Sequence, residues 1–272
     1  MCGKDRFRNL ALLSAGTLAG TLAGTEAASA EGRNGSEAPK KPNILFFLVD
    51  DLGWSDIGCF GSRFHETPNI DRLAEEGVRF TNAYAACHVS SPTRASLMTG
   101  RYPASIRLTD WLPGRKNWPF QRLLNAPVEQ HLPFEEITVA ETLRDNGYAT
   151  AIIGKWHLGK GDSNPLAHGF NEHIPLGYNE GWPQGYYAPF RLNGYEGEEG
   201  EYLTDVMTRE ATKYIEEHKD GPFFLYMSHF AVHDPIQGRK DLVEKYRRKL
   251  ATMHYEGCLL YTSPSPRDRT RS

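Results

Sequence analysis

The chain has 272 residues, with 31 Lys and Arg against 34 Asp and Glu, a formal net charge of −3, 39% hydrophobic and 11% aromatic residues, and four cysteines. That length suits one large domain or two modest ones, with ample chain to bury a core. The near-neutral balance excludes a generic nucleic-acid coat, the aromatic content argues against disorder, and no apolar run of about 18 residues outside the first 30 suggests a bundle of membrane spans.

The two ends do not read as fold. Residues 1–30 open with Lys4, Arg6 and Arg8, turn apolar and small from Leu10 to Ala23, and close with Ala28-Ser29-Ala30. That is the layout of a secretory signal peptide, so an exported protein, periplasmic or extracellular, is expected. Cys2 precedes the apolar region, where no lipoprotein cysteine would lie. Residues 31–41 are polar and contain Gly and Pro, as a linker does. Residues 258–272, CLLYTSPSPRDRTRS, break abruptly with what precedes them and read as a non-native, adaptor-derived tail; a genuine disordered Ser/Pro/Arg terminus is the alternative. Cys59 and Cys87 remain between these ends, and the sequence leaves open whether they pair.

In chain order, Asn43 to Val49 is a nearly continuous apolar run, read as a fully buried, parallel strand. Thr67-Pro68-Asn69-Ile70 opens a helix that reaches Glu76 and stops at Gly77, and Val78 to Tyr84 suits a second strand. Pro92 to Met98 reads as a helix with Ser90 or Ser91 at its N-terminus. Thr138 to Asn146 is an amphipathic helix stopped by Gly147, followed by a strand from Tyr148 to Ile153. Leu203 to His218 is the longest helix, with Leu203, Val206, Met207, Ala211, Tyr214 and Ile215 on one face. Pro222 to Ser228 is a fourth buried strand, and Asp241 to Ala251 a last amphipathic helix. Strands alternating with helices predict an α/β fold with a mostly parallel central sheet flanked by helices.

In such sheets ligands bind beyond the carboxyl ends of the strands. The first strand ends at Asp50-Asp51, adjacent carboxylates that offer hard oxygens to Ca²⁺ or Mg²⁺, or simply make a solvated turn. The strand at 148–153 runs into Gly154-Lys155-Trp156-His157-Leu158-Gly159, where a Lys and a His two apart suit an anion; a turn with a surface Lys and a packed His is the plain alternative. The strand at 222–228 leads to His229 and His233-Asp234-Pro235. Between Arg107 and Pro133, Trp111, Arg115, Lys116, Trp118 and Arg122 could hold an anionic sugar, or form a surface loop packed by its own tryptophans.

The segment Ser90 to Arg101, SSPTRASLMTGR, resembles the signature of type I sulfatases: a Cys or Ser, then x-Pro-x-Arg, then a Leu-x-Thr-Gly-Arg stretch. Pro42-Asn43-Ile44 leading to Asp50-Asp51-Leu52-Gly53-Trp54, Thr67-Pro68-Asn69-Ile70-Asp71, the Gly154–Gly159 motif and His233-Asp234-Pro235 follow the same family in order. The resemblance covers essentially all of 42–257 and implies the N-terminal catalytic part of an arylsulfatase-like, alkaline-phosphatase-like fold, with the smaller C-terminal subdomain missing.

By that resemblance Ser90 is the residue oxidised to formylglycine by a serine-type sulfatase-maturating enzyme. An unactivated hydroxyl is a weak nucleophile. A hydrated aldehyde carries two: one attacks sulfur and expels the alcohol, and deprotonation of the other ejects sulfate. The resemblance makes Asp50, Asp51 and the modified Ser90 ligands of one Ca²⁺. Arg94 would hold the formylglycine hydroxyl, and Lys155, His157 and His233 would contact the nucleophile or the sulfate group, Lys155 or a histidine assisting the leaving oxygen. His229 is left outside the site. Substrates implied are sulfated small molecules or, given export, sulfated carbohydrates.

The family's later Asp-Asn or Asp-Gln pair followed by Gly, and its further sulfate-binding Lys, do not occur after His233. The 272-residue chain by itself is therefore expected to release no sulfate above a Ser90→Ala control. Rival readings are a phosphoester or phosphonate hydrolase of the same superfamily using unmodified Ser90, and a non-catalytic sulfatase-like binder or inactive fragment. A Ser–His–Asp hydrolase would need a Gly-x-Ser-x-Gly elbow that is not present around Ser90.

Overall fold

The computed structural model describes residues 41–174, 183, 185–190, 192 and 195–253. The expected signal peptide, the tail and all of the linker except Lys41 lie outside the described residues.

Four parallel strands form one sheet in the order β1-β4-β2-β3: β1 Ile44–Leu48, β2 Ala149–Gly154, β3 Glu172–Ile174 and β4 Phe223–Ser228. Five α-helices accompany it among the described residues: α1 Pro68–Glu76, α2 Ser90–Thr99, α3 Val139–Asp145, α4 Leu203–His218 and α5 Lys240–Thr252. β4 is central and buried at all six positions. Because strand side chains alternate, β2 and β4 feed two separate cores. Ala151, Ile153, Leu225 and Met227 pack with Val206, Met207, Ala211 and Tyr214 of α4. Ile152, Phe224 and Tyr226 pack with Ala95 and Met98 of α2, Ala140 of α3 and Trp156. Each of the valine, leucine, isoleucine, methionine and phenylalanine side chains among them contributes about 1.5–3 kcal/mol when fully buried.

Register decides where chemistry can gather. Leu48 of β1 and Gly154 of β2 both sit opposite Ser228, the last residue of β4. The residues that follow each strand therefore emerge side by side along one edge of the sheet.

Three expectations are corrected. The first strand is not fully buried: among the described residues β1 is at the sheet edge, and Leu45 and Phe47 are 41% and 55% exposed. An apolar run has the same appearance in a central strand and in an edge strand covered on one face. The 78–84 segment is irregular, with Val78, Phe80 and Tyr84 exposed; it pairs with no strand among the described residues, so its β propensity finds no ladder. The fourth strand is instead β3, three residues too short to show a period.

α3 illustrates local encoding. Thr138 accepts a hydrogen bond from the Glu141 backbone N–H at 3.0 Å, Glu141 accepts one from the Thr138 N–H at 2.8 Å, and Gly147 takes φ +81° just past the end. The Thr138 hydroxyl also donates to the His168 carbonyl at 2.8 Å, tying the helix to the loop after β2. Thr138→Ala is expected to cost about 1–2 kcal/mol, read as a lower urea midpoint at unchanged m. An unmoved midpoint would show that the cap adds nothing.

Candidate active site

The chain after β1 continues to pair with the chain after β4: the Asp50 N–H donates to the Ala231 carbonyl at 2.9 Å, and the Val232 N–H to the Asp50 carbonyl at 2.7 Å. The Lys155 N–H donates to the Ser228 carbonyl at 2.8 Å. These bonds fix the backbones of Asp50 and Lys155 beside the end of β4, and α2 brings Ser90 and Arg94, one turn apart, against them.

Asp50 is 6% exposed and Lys155 fully buried, with Lys155 Nζ 2.5 Å from Asp50 Oδ2. Arg94 Nη2 lies 3.4 Å from Asp50 Oδ1, an ion pair without hydrogen-bond geometry. The rest of the Arg94 guanidinium is tied down: Nε donates to Ser90 Oγ at 3.2 Å, and Nη1 to the Lys155 carbonyl at 3.1 Å, to the Tyr226 hydroxyl at 3.4 Å and to Ser228 Oγ. One guanidinium thus spans Ser90, Asp50 and the ends of two strands.

Burial pushes the Asp50 carboxyl up, but the Arg94 and Lys155 charges and the Lys155 hydrogen bond together outweigh it, holding the group below its usual value. Burial pushes Lys155 down to about 8, with Asp50 opposing the fall. Burial, reinforced by the Lys155 charge, pushes His157 down to about 3, so its imidazole is neutral at neutral pH.

That neutrality fixes the tautomer. His157 Nε2 lies 3.0 Å from the Leu112 carbonyl, which can only accept, so Nε2 carries the hydrogen. Nδ1, 2.8 Å from Ser90 Oγ, then offers a lone pair to the serine hydroxyl. A hydroxyl facing a neutral, oriented imidazole is the arrangement that activates a nucleophile.

Asp51 and His233 form a second pair on the rim. Asp51 Oδ2 is 3.8 Å from His233 Nε2, and the Asp51 side chain is half exposed. His233 Nδ1 lies 2.8 Å from the Asp234 carbonyl, and the Tyr186 hydroxyl donates to the His233 carbonyl at 2.9 Å. Asp51 and His157 both hold left-handed backbone, at φ +60° and +56°. Such residues carry about 1–3 kcal/mol of strain each and concentrate at functional sites.

Of the residues singled out in the sequence, Asp50, Ser90, Arg94, Lys155 and His157 share one connected cluster, with Asp51 and His233 beside it. His229 is buried against Phe47, the rings 5.9 Å apart and nearly parallel, which is a packing role. Tyr226, Ser228 and the Leu112 carbonyl were not foreseen. Ser228 is the last residue of a predicted strand and so had a positional signal; the Leu112 carbonyl, a main-chain group, had none. In the 107–133 loop Trp118 stacks on Phe120 at 6.1 Å, and Arg115 pairs with Asp110 at 3.3 Å. Cys59 and Cys87 are free thiols.

For a metal, the two carboxylates and the residue 90 oxygen are hard donors of the kind Ca²⁺ takes, and Asp50 keeps its negative charge in the folded state. The donor chemistry fits, as a partial set. Among the described residues no group of three or more His, Cys, Asp or Glu side chains converges as a metal site, so further ligands would have to be main-chain or amide oxygens or come from elsewhere.

A serine at a helix N-terminus, a neutral histidine on its hydroxyl and two buried cations at the C-terminal edge of a parallel sheet define an anion-handling site of hydrolase type. The chain belongs to the sulfatase family: residues 42–262 match the family model described as Sulfatase. It is 35% identical over 238 residues to the human N-acetylgalactosamine-6-sulfatase, a match covering 80% of this chain and 44% of that protein. It resembles the crystal structure of Ps i-CgsB in complex with k-i-k-neocarrahexaose, with a TM-score of 0.65 and 33% identity over 77% of this chain and 49% of that one. It also resembles a protein solved with its substrate D-glucosamine-2-N,6-O-disulfate, with a TM-score of 0.63 and 30% identity over 82% of this chain and 40% of the other. The chain spans about half the length of the curated relatives it matches. The fold is the expected α/β, alkaline-phosphatase-like one. No helix among the described residues is long and apolar enough to cross a membrane.

Proposed function

We propose that the protein is an exported sulfatase that hydrolyses sulfate esters of sulfated carbohydrates, using a formylglycine made from Ser90 and one bound Ca²⁺. The observation that carries the reading is the placement of Ser90 Oγ, 2.8 Å from His157 Nδ1 and 3.2 Å from Arg94 Nε, beside buried Lys155 and Asp50. The carbohydrate class rests on the N-acetylgalactosamine-6-sulfatase relatives and on the glucosamine disulfate complex, and export on the leader-like residues 1–30.

When present, formylglycine supplies a geminal diol, and Ca²⁺ held by Asp50, Asp51 and the modified residue 90 supplies Lewis acidity toward sulfate oxygens. The chain's own groups do the remainder. His157 Nδ1 accepts the proton of a hydroxyl borne at position 90. Arg94 fixes that oxygen and keeps positive charge beside it. Lys155, as a buried ammonium, meets an anionic sulfate oxygen and can give a proton to a departing alkoxide. His233, paired with Asp51 at 3.8 Å, is the further group that would contact the sulfate.

The first test is the mass of the tryptic peptide Phe80–Arg94 from protein coexpressed with a serine-type maturating enzyme. Loss of two hydrogens localised to Ser90 is expected. A peptide that keeps its encoded mass under those conditions sinks the formylglycine reading and favours a binder. A phosphoester hydrolase is the second reading, because a serine already bonded to a neutral histidine also suits direct attack on phosphorus. Titration calorimetry with N-acetylgalactosamine 6-sulfate and 6-phosphate separates the two: the sulfate ester is expected to bind at least tenfold more tightly, and the reverse preference would favour the phosphoester reading.

A further inference from the structure

Ser91, next to the signature serine, is fully buried, and nothing above gives it a task. Its hydroxyl oxygen accepts a hydrogen bond from the Leu112 backbone N–H at 3.1 Å. The carbonyl of the same Leu112 faces His157 Nε2 at 3.0 Å, and His157 Nδ1 faces Ser90 Oγ at 2.8 Å. The four contacts close a ring: Ser90 to His157, His157 to Leu112, Leu112 to Ser91, and Ser91 back to Ser90 through one peptide bond.

We propose that Ser91 is a positioning residue, whose hydroxyl anchors the main chain at the Leu112 N–H so that the carbonyl of the same residue, one Cα further on, holds His157 as the Nε2–H tautomer with Nδ1 turned to Ser90. The inference rests on the reading of Ser90 and His157 as the reacting pair. Three observations support it. His157 stands in left-handed backbone, so its own chain conformation is unfavourable and needs outside restraint. Among the hydrogen bonds of the His157 ring, the partner of Nε2 is a main-chain carbonyl, and a carbonyl discriminates between tautomers because it cannot donate. Leu112 lies outside regular secondary structure, so no strand or helix ladder fixes the main chain there; the Ser91 hydroxyl holds its N–H, one Cα away from the carbonyl that faces His157.

The geometry also explains why the anchor lies next to Ser90. Both hydroxyls ride on the first turn of α2, so any small shift of that turn carries Ser90 and the Leu112 anchor together. His157 therefore follows the oxygen it serves. A hydroxyl elsewhere on the loop would hold the carbonyl without this coupling.

The test is the tautomer itself, read by long-range ¹H–¹⁵N correlation of the imidazole nitrogens in the full chain with unmodified Ser90, the His157 signals assigned through a His157→Gln variant. The wild-type ring is expected as the Nε2–H form. Ser91→Ala is expected to move at least one-tenth of the population to the Nδ1–H form, while the His168 and His229 signals stay in place and report an intact fold. Ser91→Cys, with a weaker acceptor, is expected to fall between. A wild-type ring in the Nδ1–H form overturns the proposal, as does a Ser91→Ala or Ser91→Cys ring indistinguishable from wild type. If Ser91→Ala fails to fold, the wild-type and Ser91→Cys spectra still decide. None of these readings requires formylglycine or turnover, so a failure of the anchor is distinguishable from a failure of the sulfatase reading.

Discussion

Asp50→Asn is expected to destabilise the metal-free protein by about 3–5 kcal/mol, the cost of stranding buried charge. The cluster holds Asp50, Lys155 and Arg94, each nearly fully buried, with one negative charge against two positive ones. Asparagine preserves shape but leaves both cations without a counter-charge. Arg94→Met acts in the opposite direction on the charge count: Asp50 keeps Lys155 at 2.5 Å, and the long apolar side chain fills most of the vacated volume. It should therefore cost clearly less than Asp50→Asn, although Arg94 makes more hydrogen bonds. The pH dependence has a definite sign. Lys155 is lowered from 10.5 to about 8 in the folded state, so the unfolded chain binds more protons between those values and stability rises with pH across that window. Without Asp50 the folded Lys155 falls further, the window extends to lower pH, and the deficit of Asp50→Asn should shrink as pH rises through it. Urea titrations with a chelator present, at about pH 7 and about pH 9, measure all three. Arg94→Met proving the costlier change would mean that hydrogen bonding, not charge balance, sets the stability of this cluster.

What could be read from the sequence divides along the range of the interactions involved. α4 lies at Leu203–His218 as expected, because its apolar stripe from Leu203 to Tyr214 is a local period that any packed helix shows. α3 was equally legible, since Thr138, Glu141 and Gly147 mark its two ends within a short local stretch of chain. The exposed face of β1 was not, because Leu45 and Phe47 are as apolar as their half-buried neighbours Ile44, Phe46 and Leu48, and only the strand order places them at an edge. The 78–84 segment failed for a related reason: strand propensity is realised only where a partner strand exists. At the site, side chains were legible through motifs, and Asp50, Ser90, Arg94, Lys155 and His157 do converge. The groups that orient them were not. The Leu112 carbonyl is invisible in any residue code, and the ties from Arg94 to Tyr226 and Ser228 depend on the register that sets Ser228 opposite Gly154.

That same register makes Gly154→Ala the substitution with the most severe backbone consequence. Gly154 ends β2 at φ +108°, a conformation that L side chains rarely adopt. A Cβ there would lie 2.0 Å from the Ser228 carbonyl oxygen and 2.6 Å from Met207 Cε. Met207 can swing aside. The carbonyl cannot, because it accepts the Lys155 N–H at 2.8 Å within the sheet. The alanine must therefore push β2 away from β4 at the point where both strands deliver their functional residues. Strained φ costs about 1–3 kcal/mol and a core overlap about 1–3 kcal/mol more, so a total of about 2–6 kcal/mol is expected. The displacement also has a local signature. Lys155 follows Gly154 directly, so the Lys155–Asp50 pair should loosen before the sheet melts, and native-state hydrogen exchange should show the Lys155 amide losing protection more than the Leu225 amide in mid-β4. Serine at the same position should behave as alanine does, because the obstacle is the first side-chain atom whatever follows it. A Gly154→Ala protein with a wild-type urea midpoint would mean that the β2–β4 junction yields freely, and the positioning of Lys155 would then have to come from its ion pair with Asp50.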